Sequence, residues 1–100
     1  MSYNGWTNYE TWCANLWVDQ ESDYWREHAQ DIVRQEDNDK DNATYELSRV
    51  MDSYYEEFRP EVEGMYADLL LASMSQINWY EIAEHYVDDV LSDIPDEIEE

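Results

Sequence analysis

The chemistry open to this chain is that of carboxylates. After Arg59 it contains no Lys or Arg, and residues 61–100 carry twelve acids. Glu81, Glu84 and Asp88 recur at spacings of three and four, and Asp89 and Asp93 follow. A second group comprises Glu56, Glu57, Glu61, Glu63 and Asp68. On a helix, side chains three or four apart stand roughly 5–6 Å from one another, near the spacing of neighbouring phosphates. Such a row presents acceptors to Arg and Lys as a phosphate backbone does. Like charges at this spacing destabilise a helix, and a face that is merely solvated usually intersperses lysines. These ten acids are therefore the expected partner-binding residues.

The whole chain points the same way. Its 100 residues hold 26 acids and 5 bases, a net charge of −21. This charge opposes compaction and excludes direct binding to nucleic acid or an anionic membrane as the main activity. Each base has an acid three residues before it: Asp23 with Arg26, Asp31 with Arg34, Asp37 with Lys40, Glu46 with Arg49 and Glu56 with Arg59. Local pairing at that spacing would leave carboxylate facing outward. Duplex DNA carries 21 charges in roughly 36 Å of axis, and a compact 100-residue domain is in the mid-thirties of Å across, roughly. The expected charge per length is thus close to that of DNA. The rival reading is that the acids serve solubility, halophily or generic partner binding.

Other chemistry finds little support. Asp37, Asp39 and Asp41 alternate like the start of a calcium loop, but Asn42 and Ser48 stand where that loop needs Gly and Glu. His28 and His85 are far apart in sequence, and His85 is expected to have a raised pKa and an ion pair with Glu81 or Asp89. Cys13 has no disulfide partner and reads as a buried structural thiol. No nucleophile elbow, phosphate loop or zinc-protease helix is present. Neither a catalytic site nor a metal or cofactor is expected. The longest apolar run, 69–72, is far too short to span a bilayer, and no secretory signal pattern is seen. A cytoplasmic protein is the expectation.

The elements that must carry the acids read as helices. Only two glycines and two prolines interrupt a chain that is 43% hydrophobic and contains fifteen aromatics. Thr7 and Glu10 suggest a capping box ahead of a first helix with the stripe Tyr9, Trp12, Cys13 and Leu16, ending near residues 19–20. Ser22 caps a second helix, with Trp25, Ala29, Ile32 and Val33 inward. Residues 36–42 form a polar connection. Asp41 or Asn42 caps a third helix with Leu47, Val50, Met51, Tyr54 and Phe58 inward, ending before Pro60. A fourth helix is placed with Pro60 in its first turn and the stripe Val62, Met65, Tyr66, Leu69 and Leu70, slightly weakened by Gly64. Asn78 and Glu81 cap a fifth, with Trp79, Ile82, Ala83, Tyr86 and Val90 inward. The expected fold is all-α, a compact single-domain bundle of about five short helices over residues 1–95. An acidic tail follows at 96–100.

Two stretches carry a resemblance. The run Gly5-Trp6-Thr7-Asn8-Tyr9-Glu10-Thr11-Trp12, followed by Leu16-Trp17-Val18, resembles an uncharacterised family of small phage and mobile-element proteins with an NYETW segment. The run from Ile77 to His85 is similar to the W-x-E-I-A-E-H stretch of the same family, while Cys13 and Ala14 stand where its pattern has Asn-Val. The resemblance implies no catalytic residues. It does imply a phage setting, in which small acidic helical proteins act as DNA mimics against restriction enzymes or CRISPR effectors, an analogy of class rather than of fold. The expected partner is accordingly a basic DNA- or RNA-binding protein of host defence. The alternative is a non-enzymatic interaction module, a homodimer among its forms, that binds through exposed aromatics at Trp6, Tyr24, Tyr55 and Tyr80 while the acidity serves solubility.

Overall fold

The computed structural model describes residues 3–93. They form five helices: α1 (Tyr9–Asp19), α2 (Ser22–Gln35), α3 (Lys40–Glu57), α4 (Met65–Ser75) and α5 (Trp79–Ser92). Among the described residues there is no strand, only an isolated bridge between Tyr3 and Trp6. The fold is all-α, a single globule around one core. Pro95 and the tail at 96–100 lie outside the described residues.

α5 is the central element, packed against α3, α2 and α1, with α2 also against α3 and α1. The core is drawn mainly from three stripes that periodicity foretells: Trp25, Ala29, Ile32 and Val33 of α2, Leu47 and Met51 of α3, and Ile82, Ala83, Tyr86 and Val90 of α5. Trp79, also foreseen on the α5 stripe, and Val18, Ala43 and Val87 complete it. The Trp25 indole N–H donates to the Tyr55 hydroxyl at 3.3 Å, and the Tyr55 ring lies parallel to Trp79 at 5.3 Å. A fully buried indole thus keeps its polar handle satisfied. The end of the α3 stripe departs from expectation, since Phe58 is exposed beyond the last helical turn.

α1 is rotated relative to its predicted face. Thr11 and Val18 are buried and Ala14 packs against the core, while Tyr9 and Leu16 are exposed. Cys13 is half-buried rather than buried. Hydrogen bonds rather than apolar area set this rotation. The Thr11 hydroxyl accepts from the Asn78 amide at 2.9 Å, and the Asn8 side chain donates to the Gln76 carbonyl at 2.8 Å. Both tie the start of α1 to the entry of α5. Asn8, not Thr7, caps α1 by accepting from the Thr11 amide at 2.8 Å. The predicted box between Thr7 and Glu10 gives way to a donation from the Thr7 amide to the Glu81 carboxylate at 3.1 Å.

α4 is the larger departure. It begins at Met65 rather than Pro60. Gly64 adopts φ +66°, a left-handed conformation that glycine enters without penalty, and this separates α4 from residues 58–63. α4 buries no residue and packs extensively on no other described helix, sharing only clefts with the end of α3. Of its expected core stripe, Met65, Tyr66 and Leu69 are exposed, as is Val62 ahead of it, and only Leu70 is half-buried. Leucines at three consecutive positions point around more than half of the helix, so a single packed face cannot cover them. The principal extents are 60 × 29 × 22 Å. A charge of −21 over that long axis is roughly half to two-thirds as dense as on DNA, below the parity expected for a sphere.

Candidate functional site

α5 presents its acids on the side away from the core, but their partners differ from those implied by local spacing. Arg26 of α2 reaches across to Asp89 and Asp93 rather than to Asp23. Lys40, the first residue of α3, bridges Glu84 at 3.3 Å and Asp88 at 3.1 Å rather than pairing with Asp37. These carboxylates raise the pKa of the Lys40 ammonium, Asp88 foremost and Glu84 next. Glu81 accepts from the Thr7 amide. Asn78 caps α5 through a bond from the Glu81 amide at 3.1 Å. All five predicted α5 acids therefore have a partner inside the molecule.

The second group is different. Glu56 pairs with Arg59 at 2.9 Å. Among the described residues no Lys or Arg lies within ion-pair distance of Glu57, Glu61, Glu63 or Asp68. Glu56, Glu57, Glu61 and Glu63 line a cleft of about 500 Å³ with Arg59, Pro60, Val62, Ala67, Leu70 and Leu71. Carboxylates thus edge a partly apolar floor. Asp68 stands exposed in the first turn of α4. The structure gathers Glu56, Glu57, Glu61 and Glu63 around one cleft but not Asp68, and it places the two groups in different surroundings.

The remaining pairs follow the local rule: Arg34 with Asp31 at 2.7 Å and Arg49 with Glu46 at 3.4 Å. Every Lys and Arg of the chain is consequently held by at least one carboxylate.

Histidine and aromatic expectations are also revised. His85 packs against Trp6 with ring centroids 4.4 Å apart and the planes tilted by 35°, and no carboxylate among the described residues forms an ion pair with it. Both rings border a 400 Å³ cleft with Arg26, Asp19 and Tyr86. There the Tyr86 hydroxyl donates to the Asp19 carboxylate at 2.6 Å. Burial, then that carboxylate, pushes the phenol far above its usual range. Of the aromatics thought free, Trp6 and Tyr55 pack against the core, while Tyr24 and Tyr80 are exposed. The larger exposed rings are elsewhere, at Trp17 and Tyr66. Tyr3, Tyr9 and Trp12 cluster with centroids 4.9–5.6 Å apart.

Asp39, read as part of a calcium-like loop, caps α3 by accepting from the Asn42 amide at 3.1 Å. Among the described residues no group of three or more His, Cys, Asp or Glu is placed to hold a metal ion. No described helix is long and apolar enough to cross a membrane.

The model of a family described as a family of unknown function (DUF7249) matches residues 1–100, and the chain belongs to that family. No curated protein and no solved structure matches it.

Proposed function

We propose that this protein, a member of a family without an assigned activity, is a non-catalytic inhibitor that imitates DNA. Its carboxylate surface occupies the basic nucleic-acid groove of a restriction enzyme, CRISPR effector or other DNA-binding protein of host defence, in a phage-type antidefence role. The observation that carries this reading is the state of the cations. All five are engaged by acids, seven acids in total, so the outward field of a −21 chain is carboxylate. Such a field speeds encounter with a basic groove and weakens with salt.

The cation pairing also moves the weight of the surface. Glu57, Glu61, Glu63 and Asp68 are free to replace phosphates. Glu84, Asp88, Asp89 and Asp93 are partly neutralised by Lys40 and Arg26 and contribute mainly through the overall field.

The test is capture from host lysate at low salt, repeated at high salt and with competing duplex DNA. Capture of a basic DNA-binding protein that both salt and DNA displace supports mimicry. Capture that resists both is incompatible with it and favours the second reading, an interaction module that works through exposed aromatics. The exposure of Trp17 and Tyr9 on α1 is the observation behind that alternative.

A further inference from the structure

We propose that the outward face of α4, together with the acidic cleft beside it, docks a basic amphipathic helix of a partner protein. The inference rests on the reading above only in taking the partner to be basic, and it names the element by which that partner is held.

An 11-residue helix is marginal in water by itself, since helices shorter than about 12–15 residues gain too little to offset nucleation. Helices of that length normally depend on packing an apolar face. α4 buries no residue and packs extensively on no described helix; only its opposite side, at Ala67, Leu70 and Met74, is half-buried, beside the end of α3. Met65, Tyr66 and Leu69, at one-turn spacing, are each more than half exposed, at 65%, 68% and 58%. A contiguous apolar face of this kind on a soluble domain marks an interface.

Charge selects the occupant. The cleft beside α4 is edged by Glu57, Glu61 and Glu63, none of them paired to a cation, and its single cation, Arg59, is held by Glu56. A helix with an apolar ridge and Lys or Arg flanks would cover the α4 face and meet the unpaired carboxylates in one docking event, the helix-in-groove mode. A second copy of this chain would instead bring the same three acids and another −21 to the same place. A flat phosphate-binding groove would match the carboxylates but leave Met65 and Leu69 wet. The thioether of Met65 suits such a surface, because it adapts to differing side chains.

The probes are two synthetic peptides of about 18 residues, roughly five helical turns, composed of leucine and lysine. One has leucines at helical period; the other has the same composition scrambled. Each is titrated into the full chain by calorimetry at physiological salt. The amphipathic peptide should bind at least about tenfold more tightly, ~1.4 kcal/mol. The shifts it causes should centre on the methyl resonances of Met65 and Leu69 in the unaltered protein, with that of Met74, half-buried on the opposite side of α4, moving less. In Met65→Gln/Leu69→Gln the tenfold preference should vanish, with scrambled-peptide binding unchanged. Circular dichroism shows whether α4 survives the substitutions, and the methyl shifts decide the question if it does not. Equal binding of the two peptides would overturn the docking proposal and leave the basic-partner reading standing. Binding of neither would sink both. Shifts centred away from α4, or a concentration-dependent dimer that Leu69→Gln disperses, would also overturn it, the latter by making a second copy the occupant.

Discussion

Residues 81–93 and 56–68 carry five acids each, and they end in opposite conditions. On α5, Lys40 and Arg26 arrive from the start of α3 and the middle of α2, and the Thr7 amide arrives from the lead-in to α1. On the stretch from the end of α3 into α4, only Glu56 has a cation, its own neighbour Arg59. The same residue type therefore does two jobs. The α5 acids are straps that fasten three elements to the central helix. The acids around the start of α4 have no internal work and are the ones available to another molecule. Burial follows the same division, with six residues of α5 buried and none of α4.

The largest test of this contrast is in the packing. Trp25→Ala, at a fully buried indole, should cost about 3–5 kcal/mol in denaturant unfolding. Leu69→Gln should stay within about 0.5 kcal/mol, as exposed substitutions do. A comparable cost at Leu69 would mean that α4 is packed after all.

Charge removal sharpens it next. Glu57→Gln/Glu61→Gln/Glu63→Gln should weaken binding to a basic partner by about tenfold or more with little change in melting temperature. Glu84→Gln/Asp88→Gln should lower the melting temperature and change binding less. The reverse pattern in paired binding and melting experiments would exchange the roles of the two regions.

Arg26→Gln should destabilise by about 1 kcal/mol, because the guanidinium is only partly solvated and serves two aspartates that are then left facing each other. Added salt should restore part of that loss. Thr44→Val should be neutral or stabilising by up to about 1 kcal/mol, since the buried Thr44 hydroxyl has no hydrogen-bond partner in the fold.

The smallest effect near neutrality becomes visible in alkali. The folded state holds the Tyr86 phenol above its ordinary value of about 10. The unfolded chain therefore releases that proton first, so the stabilisation is complete below pH ~10 and is lost as the pH rises further. The raised Lys40 ammonium acts in the same direction and window. Tyr86→Phe should flatten the alkaline limb of a pH–stability curve and leave the limb below pH 9, roughly, unchanged. An unchanged alkaline slope would show that Tyr86 is not held neutral.

Much of the fold was legible in the chain. The stripes of α2 and α5 were readable because their apolar residues recur at helical spacing between charged neighbours, so one face alone could be buried. Asn78 was readable as a cap for α5 because its side chain accepts from an amide three residues on, a bond within one turn. α1 was misread because Tyr9, Trp12 and Leu16 outweigh Thr11 and Ala14 in apolar area, yet the Thr11 hydroxyl bond to the α5 entry set the rotation. α4 was misread because the leucines at 69–71 promise burial without specifying a partner. The exposed α4 face did have a signal in those three adjacent leucines, which exceed what one packed face can hide.

By itself the sequence determined the helical class, the three main core stripes, the excess of carboxylate and the absence of cations after Arg59. These depend on residue type and local periodicity, which a linear chain displays in full. Only the tertiary structure decided which carboxylates are engaged and which are free. Arg26 lies 63 residues from Asp89, and Lys40 lies more than forty residues from Glu84 and Asp88 in the chain. Such pairs exist because α2 and α3 pack against α5 and carry their cations across. A long, flexible cation closes on whatever carboxylate folding brings within reach, and Lys40, the first residue of the 18-residue α3, finds α5 rather than its own loop.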